Sequence, residues 1–106
     1  GWYQDYPDPS NFLDVLLNGR RITNVNSNNV AFYNNEEVNK LLEQAAFITD
    51  QPQRLELYQA AEKIIVDEAP WVFLYHPNMY ILRQEWLKGL KLNPVWPLRY
   101  EKMWVE

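Results

Sequence analysis

Cysteine is absent from this 106-residue chain, and with it go disulfide staples, thiol catalysis and any cysteine-based zinc site. The absence suits an exported protein that avoids stray pairing, yet it is also common in the cytosol and sets no compartment by itself. Histidine occurs once, as His76, at the end of an apolar run before Pro77. With no His, Cys or Glu partner at ligand spacing, it reads as a strand-end residue rather than a metal ligand. Three glycines make no phosphate-cradling loop, and neither Ser10 nor Ser27 lies in a nucleophile motif. Positive charge is scarce, ten Lys and Arg against fourteen Asp and Glu, for a formal charge of -4. The pairs Arg20-Arg21 and Lys88/Lys91 are isolated and fall short of the cluster that phosphates demand, so nucleic acid is not an expected partner. The longest apolar run, Trp71 to Tyr75, is far shorter than the roughly 20 residues of a membrane span. No residue pattern calls for a cofactor or a metal, and none marks an enzyme.

Aromatic side chains are abundant instead: five Trp and seven Tyr against four Phe. Trp and Tyr combine ring area with a polar handle, so beside their role in a core some are expected to meet a ligand or another part of the protein. They are dense in the opening stretch GWYQDYPDPSNFL, where rings, carboxylates and prolines crowd ahead of a helix start. This stretch reads as a ligand-facing turn. A chain that opens on Gly-Trp-Tyr reads as a piece of something larger, and its length suits one domain or a substantial part of one.

Three helices are expected. The first follows the two prolines, with Ser10 as cap, Phe12, Leu13, Leu16 and Leu17 at helical spacing, and Asn18-Gly19 as its end. Asn24 to Asn29 reads as a loop. Asn34 followed by Glu37 resembles a capping box, and Val38, Leu41, Leu42 and Ala45 recur on one face behind it. Asp50, with Pro52 in the first turn and Gln53 three residues on, opens the third helix. Its apolar stripe is Leu57, Tyr58, Ala61, Ile64 and Ile65, and Arg54, Glu56, Glu62 and Lys63 fall on the wet side. Pro70 ends it and pushes the preceding residue out of helical conformation.

Past Pro70 the period changes. WVFLYH has the length and composition of a strand covered on both faces, and Met79 to Leu82 makes a second such run. Lys88-Gly89 marks a turn, and the tail is expected to be irregular with one short strand. The fold class is therefore mixed α/β, with about three helices and three or four strands. Its sheet is short of partners, which the sequence upstream of this segment would supply.

With these segments in order (GWYQDYPDPSNFL, YNNEEVNKLLEQA, Asp50 with QRLELYQAAEKII, DEAPWVFLYH and the KGL turn), the chain resembles the C-terminal part of the extracytoplasmic solute-binding proteins of the oligopeptide and dipeptide class. The resemblance spans essentially the whole chain. Many relatives have proline after YNN where this chain has Glu36, and both suit a first helical turn. The resemblance implies a fragment of a two-lobed type II periplasmic-binding-protein-like fold. Residues 1–106 would be a single C-terminal fragment contributing to a ligand-binding lobe and to the return segment toward the other lobe. It further implies substrate capture for an ABC importer, in the periplasm or outside the cell as a membrane-anchored lipoprotein. The implied partners are a peptide, the membrane permease subunits and the missing N-terminal part of the protein.

In peptide-binding relatives the Trp of the opening motif and the Asp three residues later lie at the ligand's N-terminal end. Those positions are Trp2 and Asp5 here, the carboxylate pairing with the peptide's α-ammonium. Elementary electrostatics agrees, since a carboxylate beside an indole in a dry cleft is costly until a cation pairs with it. Asp8, before Pro9, reads as a turn residue capping a backbone N–H. Asp5 and Asp8 could be imagined as the acid and base of a glycosidase, but a spacing of three in a proline-rich turn is no evidence for that geometry. The chain also admits the same transport role with an oligosaccharide or other small solute, and, from a different class, a stand-alone interaction module presenting Trp71, Trp86, Trp96 and Trp104.

Overall fold

The computed structural model describes residues 2–78, 80–93, 95 and 98–106. It divides into two compact units, one reaching to Phe73 and the other running from Leu74 to Glu106. The fold class is the mixed α/β one expected, and its segment boundaries follow local chemistry closely in the first unit.

That unit holds α1 (Ser10–Leu17), α2 (Glu36–Phe47) and α3 (Gln51–Glu68). Leu16 and Leu17 of α1, Val38, Leu42 and Ala45 of α2, and Tyr58, Ala61 and Ile65 of α3 form one buried cluster. Trp2, Leu13, Tyr33, Leu41, Leu57, Ile64 and Trp71 pack around it. The apolar stripes read from the sequence are thus the faces that meet. A short 3-10 turn, Gly19–Arg21, carries the chain off α1.

The caps differ in detail from expectation. Ser10 does not cap α1: the residue ahead of the helix is Pro9, whose side chain cannot accept a hydrogen bond, and Asp8 before it takes the capping role. Its Oδ1 accepts from the Ser10 N–H at 2.9 Å, while the Ser10 hydroxyl lies 3.1 Å from the Tyr6 hydroxyl. The cap of α2 is Asn35 rather than Asn34, its Oδ1 accepting from the N–H of Glu37 and Val38. Asn34 is engaged elsewhere: its Oδ1 accepts from Asn39 Nδ2 at 2.8 Å, and it lies so close to Gly19 that any Cβ there would overlap it. Asp50 caps α3 as expected, accepting from Gln53 N–H at 3.1 Å. Ala69 then takes a left-handed conformation (φ 46°, ψ 53°) ahead of Pro70, which disfavours the helical region for its predecessor.

The strand expected after Pro70 does not form within this chain. No residue from 71 to 78 is in a strand; Trp71 is half-buried against the helical core, and Val72 to Asn78 are exposed. The physical reason is the missing ladder: an apolar run of this kind becomes a strand by hydrogen bonding to neighbours, and no strand among the described residues pairs with it. Met79 lies outside the described residues, and Tyr80 to Leu82 form no strand either. The described sheet has two strands, β1 (Leu87–Lys88) and β2 (Trp104–Val105), rather than three or four. They run antiparallel, Leu87 opposite Val105 and Lys88 opposite Trp104. The turn expected at Lys88-Gly89 falls earlier, at Glu85 and Trp86, closed by the Leu87 N–H on the Gln84 carbonyl at 3.1 Å, while Lys88 ends β1. Gly89 takes φ 74°, and a side chain there would strike the Lys102 carbonyl oxygen.

Candidate functional site: a turn held by a buried asparagine

The opening turn is held at two points. Its far end is fixed by Arg54, which the periodicity places on the wet side of α3. The Arg54 guanidinium instead clamps Asp8, Nη2 to Oδ1 at 2.8 Å, donates Nε to the Ala45 carbonyl at 3.2 Å and Nη2 to the Tyr58 hydroxyl at 3.1 Å, and lies over the Tyr58 ring. One side chain thereby joins the turn to the open carbonyl end of α2 and to α3. Burial raises the Asp8 pKa, but the hydrogen bonds from Arg54 and Ser10 and the guanidinium charge outweigh it and bring it down to about 2. Asp8 is therefore a structural carboxylate, committed to Arg54 and to the α1 cap.

The near end is fixed by Asn11, a residue absent from the candidates that the sequence singles out. Asn11 lies in the first turn of α1 and is 1% exposed. Its Oδ1 accepts from the Trp2 indole Nε1–H at 3.2 Å and from the Asp5 backbone N–H at 3.0 Å. Its Nδ2 donates to Asp5 Oδ2 at 3.3 Å. Asp5 itself is exposed, and Trp2 is half-buried against the helical core. The two site residues expected from the sequence are thus gathered on one buried amide, with the carboxylate facing outward. No signal short of the fold identifies Asn11, since an Asn after Pro-Ser reads equally well as a helix-start residue.

Elsewhere the first unit is stitched by the same chemistry. Asn29 holds Tyr33 through both its N–H and its carbonyl, and Asn39 Oδ1 accepts from the Gly19 N–H at 2.7 Å. Tyr33 donates to Glu68 at 2.6 Å; burial, that hydrogen bond and the Glu68 charge all raise the phenol's pKa. Among the described residues no group of His, Cys, Asp and Glu is placed to hold a metal ion, and no helix is long and apolar enough to cross a membrane. The shallow concavity lined by Gln44, Phe47, Ile48, Gln53, Glu56 and Leu57 includes neither Trp2 nor Asp5.

Fold and turn together define a fragment of a type II periplasmic solute-binding protein. The chain's homologues are the periplasmic dipeptide- and oligopeptide-binding proteins. It is 36% identical over 94 residues to the probable D,D-dipeptide-binding periplasmic protein DdpA of Escherichia coli, a match covering 89% of this chain and 18% of that protein. It is 34% identical to heme-binding protein A of Haemophilus influenzae, covering 89% and 17%. The solved structure of periplasmic binding protein DppA from Helicobacter pylori, in complex with peptide STSA, superposes with a TM-score of 0.89 at 32% identity, over 99% of this chain and 20% of that one. The chain thus spans less than a fifth of the length of these two curated relatives. No protein-family profile matches the sequence.

Proposed function

We propose that this segment belongs to the ligand-binding lobe of a solute-binding protein that captures di- and oligopeptides and delivers them to the permease of an ABC importer. Asp5 pairs with the peptide's α-ammonium, and the Trp2 indole offers a face on which peptide lies without its sequence being read. The observation that carries this reading is the Asp5 carboxylate, exposed, tied through Asn11 to an indole and, among the described residues, hydrogen-bonded through one oxygen alone. The likeness to a protein solved with a bound peptide supports it. The protein so composed works in the periplasm, or outside the cell as an anchored lipoprotein, and binds its solute without transforming it. Residues 1–106 serve that protein as a single C-terminal fragment, contributing to the ligand-binding lobe and to the return segment toward the other, and the upstream sequence completes the cleft.

Replacing Asp5 tests the reading. Asp5→Asn in the complete protein is expected to weaken peptide binding by about 1.5 to 3 kcal/mol, the scale of a charge-assisted hydrogen bond, as measured by calorimetry. Unchanged affinity would remove Asp5 from the ammonium site. A second reading, in which the same lobe carries another solute, draws on the relative named for heme and on a carboxylate's equal capacity to accept sugar hydroxyls. Tighter retention of an oligosaccharide than of any peptide would favour it. The interaction module has less behind it, because Trp71, one of the rings it would present, packs on the core.

A further inference from the structure

We infer that Asn11 is a positioning residue that sets the preference for a free peptide amino terminus, by fixing which oxygen of Asp5 is offered to the ligand. The inference rests on the proposed pairing of Asp5 with an α-ammonium. An amide oxygen has two lone pairs, and both are used here: one by the Trp2 indole N–H, the other by the Asp5 backbone N–H. That leaves the amide nitrogen only one sensible direction. Turning the amide over would set its NH2 group against two N–H donors and its oxygen against a carboxylate, so three favourable contacts would become three repulsive ones. The orientation is therefore dictated by its neighbours, and the Nδ2–H is held on Asp5 Oδ2.

The consequence falls on the other carboxylate oxygen. Among the described residues Asp5 Oδ1 takes no hydrogen bond, so the carboxylate has one oxygen tied inward and one presented outward. An exposed aspartate without such a tether samples its rotamers, and a ligand must spend binding energy to order it. With Asn11 in place, the backbone and the side chain of Asp5 are gripped by the same buried group. The indole is locked in the same act, so the cationic and aromatic subsites keep a constant separation whatever peptide arrives. A carrier that tolerates many side chains then reads one invariant feature, the terminal ammonium. Burial of Asn11 at 1% exposure leaves little water to compete for these bonds, whereas the carboxylate it orients stays accessible.

The test is a competition in the complete protein between a pool of random peptides of two to five residues and the same pool N-acetylated, with retained ligand read by mass spectrometry. Unsubstituted protein is expected to retain free-amine peptides preferentially, and Asn11→Leu, similar in volume but unable to hydrogen-bond, is expected to lower that preference about tenfold. A merely structural role for Asn11 would weaken both pools alike and leave the ratio unchanged, which would overturn the inference. Asp5→Asn, run alongside, separates the two failures. If Asp5→Asn loses the preference and Asn11→Leu keeps it, the inference fails alone. If Asp5→Asn also keeps it, or the unsubstituted protein retains neither pool preferentially, the ammonium reading fails and takes the inference with it. A measurement independent of any variant's folding is the Asn11 side-chain amide signal in nitrogen-15 NMR of the unsubstituted protein. It is expected to shift on adding trialanine and to stay in place on adding N-acetyl-trialanine, and equal response to both would overturn the inference.

Discussion

The two units of this chain use apolar residues in opposite ways. Up to Phe73, the helices enclose a cluster in which Val38, Ala45 and Ala61 have no exposed surface at all. Among the described residues from Leu74 onward none is buried, and Leu82 is 100% exposed. The composition of the two stretches does not explain the contrast, since Leu74, Tyr75, Tyr80, Ile81 and Leu82 of the second unit are as apolar as the helix faces of the first. The difference is in how each kind of element satisfies its backbone. A helix closes its hydrogen bonds within itself and needs only one covered face, so three of them suffice for a core. A strand must borrow partners, and a segment amounting to less than a fifth of its relatives' length holds few of them.

The largest effect that would test this contrast is a pair of truncations in the 106-residue chain. Leu42→Ala is expected to destabilise the first unit by about 3 kcal/mol, through lost burial and a residual cavity. Leu82→Ala is expected to change stability by less than about 0.5 kcal/mol, as an exposed site does. Comparable costs in urea unfolding would erase the distinction. In the complete protein, a cost at Leu82 approaching that at Leu42 would mean the rest of the chain covers it.

A smaller effect concerns the polar stitching of the first unit. The Asp8 pKa is depressed in the folded state to about 2 from an ordinary 3.8. A depressed carboxylate contributes stability that is fully present above its unfolded value and is lost as the pH falls through the folded one. That contribution is about 2 kcal/mol, and it disappears between about pH 4 and pH 2. Asp8→Asn retains an oxygen to cap α1 but gives up the charge, so acid titration of its stability is expected to be flatter in that window than for the unsubstituted chain. Identical acid profiles would show that Arg54 and Asp8 do not hold the turn.

The smallest effect lies at the end of α3. Ala69 adopts the left-handed conformation that costs an L-residue about 1 kcal/mol and glycine almost nothing. Ala69→Gly is expected to raise the thermal midpoint, worth about 0.5 to 1 kcal/mol, without touching the second unit. A lowered midpoint would mean that the helix end is not held in this conformation in solution.

Helix positions, the Asp50 cap and the break before Pro70 were legible in the sequence because each depends on neighbours a few residues away. Trp2 and Asp5 were singled out through likeness to relatives, and the fold gathers both on Asn11. Capping at α1 and α2 was legible only to within a residue or two, because adjacent side chains competed for the same backbone donors and tertiary contacts chose between them. Arg54 shows the limit most clearly. Its place on the helix marked it for solvent, but a carboxylate 46 residues earlier in the chain drew it inward. Asn11 is the same lesson at the site. Local sequence determined that an amide would stand near the start of α1, and only the folded turn decided that it would hold the indole and the carboxylate together, because hydrogen bonds between side chains are settled by separation in space.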